Sequence, residues 1–181
     1  MRQALKLHPD SRCDAVTGIE VDIARAPSGQ LMLRYSVTGR ISDVRLPPAT
    51  APMRADELWR HSCFEAFVRA SSSAAYYEFN FAPSTQWAAY RFNDYRSGMD
   101  VENDAGAPRL ETRSNGGGYE LQVSLELDRL HDLPTDAPWR LGLCAVIEET
   151  NGRISYWALA HPPGKPDFHH PDCFALELPA A

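Results

Sequence analysis

The sequence predicts an all-β fold: an antiparallel β-sandwich, formed as a single domain over residues 1–181. Three observations predict it. Apolar residues recur with period two in nearly every apolar segment, while a helical period hardly appears. Turn chemistry separates these segments at short intervals. And 181 residues with 44% hydrophobic content bury one sizeable core, most simply in one domain.

Taken in order, Ile19, Val21 and Ile23 alternate with Glu20 and Asp22, and Leu31, Leu33, Tyr35 and Val37 alternate with Met32, Arg34, Ser36 and Thr38. The turn between them is Pro27-Ser28-Gly29. In the segment 61–69, Ser62, Phe64, Ala66 and Val68 share one face and Cys63, Glu65, Phe67 and Arg69 the other. Tyr77, Phe79 and Phe81 then oppose Tyr76, Glu78 and Asn80, ahead of a turn at Pro83-Ser84. Tyr119, Leu121, Val123 and Leu125 alternate with Glu120, Gln122 and Ser124 after a glycine turn at Gly116–Gly118 that follows a polar loop. Each pattern is that of a half-buried strand.

The run from Trp139 to Glu149 is apolar on both parities, as a strand covered on both faces would be. Asn151-Gly152 joins it as a hairpin to the segment 154–159, and 174–178 closes the set. Only the segment 126–133 (ELDRLHDL) has spacing suited to a short helix. The segments 45–54 and 100–108 read as exposed loops within the one domain, and Trp87, Trp139 and Trp157 as core residues.

Composition excludes several functions. A net charge of −6 without a clustered basic face argues against a nucleic-acid partner. No apolar run reaches 18 residues, so no membrane span is expected. The start lacks the apolar core of a signal peptide, which points to the cytoplasm. The four cysteines, Cys13, Cys63, Cys144 and Cys173, form neither C-x-x-C nor zinc-type spacing, and four free thiols are expected.

The chemistry concentrates in the segment 58–99. Glu65, Glu78 and Asn80 stand on the parity opposite the phenylalanine rows, and Trp59 lies six residues before Glu65 at the mouth of the first strand. An aromatic beside fixed hydrogen-bonding groups suits a sugar ring or a flat cofactor, so the segment predicts a binding site.

Three segments carry a resemblance to a known superfamily. They are LWRHSCFEAFVRA, then YYEFNF, then WRLGLCAVIEETNGRISYWA followed by DFHHPDCFALEL. Together they cover residues 58–178 in order, and the chain resembles the family 9 carbohydrate-binding modules and DOMON domains. The resemblance implies a jelly-roll or immunoglobulin-like sandwich and a non-catalytic small-ligand site. The ligand would be a saccharide or sugar-containing metabolite. It implies an aromatic clamp of Trp59 and Phe168 with the carboxylate of Glu65. The family's arginine falls on Asn80 and its glutamine on Val146, so half of the polar inventory differs. The expected ligand-binding residues are therefore Trp59, Glu65, Asn80 and Phe168, with no catalytic residue and no cofactor.

Other chemistries have weaker support in the sequence. Haem, the DOMON alternative, would need an axial pair such as His61 and Met99, whose spacing does not require it. His161, Asp167, His169, His170 and Asp172 share a loop, but its four prolines restrict convergence on a metal. Glu65 and Glu78 offer a glycosidase-like carboxylate pair. No G-x-S-x-G, phosphate-binding glycine loop or H-E-x-x-H is present. The sequence leaves the oligomeric state open.

Overall fold

The computed structural model describes residues 1–180 and is nearly all antiparallel β. Twelve strands run β1 (Arg2–Leu7), β2 (Val16–Arg25), β3 (Gln30–Gly39), β4 (Cys63–Ala70), β5 (Tyr76–Phe81), β6 (Trp87–Phe92), β7 (Asp100–Val101), β8 (Arg109–Asn115), β9 (Gly118–Glu126), β10 (Trp139–Glu148), β11 (Ile154–Ala158) and β12 (Leu176–Leu178). Helix among the described residues is limited to three single 3₁₀ turns, at Ile41–Asp43, Leu58–Arg60 and Pro171–Cys173. None is long and apolar enough to cross a membrane.

The strands pair in the order β7-β6-β5-β4-β10-β11-β1-β2-β3-β9-β8, with β12 added to the start of β10. Two half-sheets thus meet at β1, which pairs with β11 on one side and β2 on the other. The halves bend over a common core. The even-parity side chains of β4 (Phe64, Ala66, Val68) and the odd-parity ones of β5 (Tyr77, Phe79, Phe81) meet Ile19, Val21, Leu33, Tyr35, Leu121 and Val123 of the other half. Alternation accounts for this, since residues i and i+2 of a strand point to the same side. The Tyr35 hydroxyl donates to the Glu65 carbonyl at 2.8 Å, tying the halves together, and the rings of Tyr35 and Phe64 lie 5.1 Å apart.

The half-sheet centred on β4, β5 and β10 is buried on its other face as well. There a second cluster gathers Phe67, Tyr76, Phe92, Val146, Phe168 and Phe174. What covers this face is the segment 159–175, which crosses it as a strap. Gly142 of β10 makes room for the crossing: a Cβ there would stand 3.0 Å from the carbonyl oxygen of Cys173. The doubly covered β10 expected from its sequence follows directly from this arrangement, and Trp87, Trp139 and Trp157 are core residues, as expected.

Three expectations need correction. The segment 126–133 is no helix: β9 runs to Glu126, and Leu127, Leu130 and Leu133 are buried anchors of successive turns. The Leu130 N–H donates to Leu127 O and the Leu133 N–H to Leu130 O, so apolar residues three apart report tight i→i+3 turns here. The polar stretch before Gly116 is not a loop but β8, an edge strand whose outward side chains are solvated, which hides it from a hydrophobic pattern. The segment 100–108 likewise contains β7 and a buried Ala105.

Candidate functional site

On the strap side of the β4–β5–β10 half-sheet lies a cavity of about 830 Å³. Alternation builds its floor. Glu65 of β4 and Glu78 of β5 point to this side, while their neighbours Phe64, Ala66, Tyr77 and Phe79 point to the core. Glu65 pairs in register with Asn80, and Phe67 with Glu78, so the two glutamates are diagonal neighbours on adjoining strands. Val146 of β10 and Ile154 and Tyr156 of β11 continue the lining; the strap supplies Lys165, Pro166, Phe168 and His169. Trp59 and Arg60, from the 3₁₀ turn, and Phe92, Arg96 and Met99 complete it.

Both floor carboxyls are buried, Glu65 to 3% exposure and Glu78 to 6%. Burial raises the Glu65 carboxyl well above the ordinary carboxylate range, and the neighbouring Glu78 charge pushes it in the same direction. Burial also raises Glu78, against the pull of a hydrogen bond from Asn80 and of the Arg96 charge. Glu65 Oε1 has no hydrogen-bond partner. Such a group is costly to bury, which marks it as a site awaiting a donor.

His169 completes the polar wall. Its Nε2 is 3.6 Å from Glu78 Oε2, and its Nδ1 is 2.8 Å from the Tyr76 hydroxyl. Burial first, and then the Arg96 charge, press its pKa down to about 4, so at neutral pH the contact with Glu78 is not an ion pair. The Tyr76 oxygen already accepts from the Arg96 N–H at 3.2 Å. The hydroxyl keeps a second lone pair, so the Tyr76–His169 bond is compatible with a ring proton on either nitrogen. The imidazole is packed edge-on against Phe67 and Phe92 at 5.1 Å each.

Asp167 fastens the strap. It accepts from the Tyr95 hydroxyl and from Arg96 Nη2 at 2.7 Å, and its Oδ1 also caps the His169 N–H at 3.2 Å. Arg96 reaches it from a turn in which its own φ is +50°.

The four residues expected from sequence lie as follows. Trp59, Glu65 and Phe168 line the one cavity. Trp59 is about half exposed, with the Arg60 guanidinium 5.5 Å from its ring. Phe168 is largely buried and packs edge-on to Tyr156 at 6.1 Å, and among the described residues no ring contact joins it to Trp59. Asn80 is fully buried and not part of the lining. It donates to Glu78 Oε1 at 2.7 Å and accepts from the Cys63 thiol at 3.6 Å, so it positions Glu78 from beneath.

Glu78 entered the sequence argument among the polar groups of the segment 58–99 and as half of a carboxylate pair, and His169 as a member of a histidine-rich loop, but neither was among the expected ligand-binding residues. Parity placed Glu78 beside Glu65 and was the usable signal. Phe92 and Arg96 gave none, because β6 is buried on both faces and Arg96 sits on a turn. The proposed haem pair is separated in role: His61 bonds Glu148 at 2.7 Å, while Met99 is exposed at the cavity. In the histidine-rich loop, His161 bonds Lys6 O and packs on His8, Asp167 holds Tyr95 and Arg96, and His170 accepts from the Asp172 N–H. All four cysteines are free thiols, three of them buried.

A second cavity, of about 590 Å³, lies on the outer face of the other half-sheet. Its charges are matched among themselves: Asp22 pairs with both Arg2 and Arg34, and Arg109 with Glu111. It presents no buried, unpartnered group, which separates it from the site above.

Compared with protein-family models and with curated proteins, the sequence matches none. Solved structures do match. One is a candidate carbohydrate-binding protein from Bacteroides uniformis, 15% identical, with a TM-score of 0.72 over 95% of this chain and 83% of that one. Another is a family 9 carbohydrate-binding module from Caldicellulosiruptor kristjanssonii in complex with cellotriose, 11% identical, with a TM-score of 0.51 over 91% of this chain and 74% of that one. The chain has the fold of these two proteins.

Proposed function

We propose that the chain is a single sandwich-type module that binds a saccharide without catalysis, in the cavity above Glu65 and Glu78. The observation that carries this reading is the pairing of a half-exposed Trp59 wall with a buried carboxyl floor in one cavity of about 830 Å³. Small-molecule sites fall in the range of roughly 300–1,000 Å³ and combine apolar walls with a few convergent polar groups. A pyranose ring has an apolar face for the indole and hydroxyls for the carboxyls. The fold is shared with a module whose solved complex holds cellotriose, and that makes a β-glucan fragment the first ligand to try.

Stacking on Trp59 removes on the order of 100 Å² of apolar surface from water, about 2–3 kcal/mol before association costs. Trp59 then contributes more than Phe168, which is already committed to Tyr156. Isothermal titration of cellotriose, glucose and xylo-oligosaccharides provides the test. Trp59→Ala is expected to weaken binding at least tenfold with the melting temperature unchanged, since the side chain is half exposed. Unaltered affinity in that variant would remove the anchor of this reading. Turnover of chromogenic glycosides by the wild type would replace binding with hydrolysis by the Glu65–Glu78 pair.

A further inference from the structure

Glu65 and Glu78 stand side by side in the cavity with no lysine or arginine bound to either one among the described residues. The two arginines around them are otherwise engaged. Arg60 is held by Glu57 at 2.6 Å and Arg96 by Asp167 at 2.7 Å; Arg96 acts on Glu78 only from further off. Lys165 is on the exposed rim and makes no ion pair within 4 Å among the described residues. His169, whose Nε2 lies 3.6 Å from Glu78, is neutral at neutral pH. Two buried carboxyls are thus left without a permanent counter-charge, and one of them has an oxygen with no partner at all.

From this geometry we infer that the cavity takes a saccharide bearing a protonated amine, whose ammonium bridges the Glu65 and Glu78 carboxylates. This rests on the saccharide reading and narrows it to a ligand class. A neutral hydroxyl brings one donor and no charge, so it leaves the two buried carboxyls without a counter-charge. An ammonium brings three donors and the missing charge. Diagonal neighbours on adjoining antiparallel strands stand roughly 7–8 Å apart at Cα, a span that one ammonium between two glutamate side chains can bridge. Rings on the walls, Trp59 and Tyr156, favour a cation as well as a sugar face. A divalent metal fits less well, because no group of three or more metal-ligating side chains gathers at the pair among the described residues. Any proton that burial holds on the carboxyl pair leaves to buffer as the ammonium takes its place.

Calorimetry on the full chain at neutral pH with glucosamine, glucose and N-acetylglucosamine decides the matter. Glucosamine is expected to bind at least tenfold more tightly than either neutral sugar, with proton release detected as a dependence of the heat on buffer ionisation enthalpy. In Glu65→Gln, and separately in Glu78→Gln, the ratio of glucosamine to glucose affinity is expected to fall to about one, with thermal melts confirming that each variant is folded. Glucose binding as tightly as glucosamine overturns this inference and leaves the saccharide reading in place. Glucose binding that disappears on chelation overturns it in favour of a metal. Failure of glucosamine to bind where cellotriose does overturns this inference alone, and failure of cellotriose as well overturns both.

Discussion

Replacing Asp167 by alanine unfastens the strap that carries Phe168 and His169 into the cavity. The carboxylate accepts from the Tyr95 hydroxyl, from two nitrogens of Arg96 and from the His169 N–H. Hydrogen bonds to a charged group are worth about 1.5–3 kcal/mol when buried, yet Tyr95 and Arg96 are about half exposed, and solvent screening brings an exposed pair to about 0.2–1 kcal/mol. Allowing about 1 kcal/mol for the partly buried His169 contact and somewhat less for each of the other two gives about 2–3 kcal/mol. For a chain of this size that is a fall in melting temperature of about 4–12 °C. The loss is local before it is global, so hydrogen exchange in residues 160–175 should accelerate while β3 and β9 stay protected. Burial raises the Asp167 pKa, but the bonds from Tyr95 and Arg96 outweigh it and hold the group below the ordinary range. The stabilisation is therefore present above the unfolded carboxylate pKa and disappears as pH falls through the lower folded value. Asp167→Ala should accordingly match the wild type in strong acid and differ from it at neutral pH. Equal melting temperatures at neutral pH together with unchanged strap exchange would refute the fastening role.

The opposite dependence is expected for Glu65, whose raised folded pKa makes its contribution complete below the unfolded value and lost as pH rises through the folded one; Glu65→Gln should flatten the fall of melting temperature with pH and gain at least about 1 kcal/mol over the wild type in alkali, and a pH-independent difference would contradict it. Arg25 lies 3.5 Å over the Trp139 ring and donates to the carbonyls of Thr135 and Ala137 at 2.7 and 2.9 Å. Arg25→Ala should therefore cost about 2–3 kcal/mol in denaturant unfolding, with little recovery in Arg25→Lys, and a full rescue by lysine would show that charge alone suffices. In the native protein a thiol reagent should modify Cys13 alone rapidly, since burial raises the Cys63 and Cys144 thiols and takes Cys173 up to about 12; a fast phase of two or more thiols would contradict the packing of β4 and β10.

Period two made β4 and β5 legible because each faces two different environments, one apolar throughout and one mixed. The same rule put Glu65, Glu78 and Asn80 on one side. It could not say that Asn80 sinks beneath Glu78, which depends on how far the 3₁₀ turn and the strap reach over the sheet. β6 escapes the rule in a different way: Trp87, Ala88, Ala89 and Tyr90 are all buried, so no alternation remains to be read. β8 escapes it as a polar edge. The segment 126–133 misleads because leucines three apart serve an i→i+3 turn as well as they serve a helix. Trp59 and Phe168 could be placed near one cavity by resemblance alone, while the packing of Phe168 on Tyr156 required the path of the strap.

The pairing order has a consequence for any attempt to divide the molecule. Residues 2–39 and 109–126 form one half-sheet, while residues 63–101 and 139–178 form the other, so the chain visits the two alternately. β3 waits for β9 and β4 waits for β10, each across a long stretch of intervening chain, and such closures are slow to form. A cut in the loop between β7 and β8 leaves two fragments, each holding an incomplete portion of both half-sheets. Neither can finish a core alone, and each carries the edges the other lacks. Co-expressed fragments divided there should therefore assemble only with each other, and recovery of cavity binding would report their meeting.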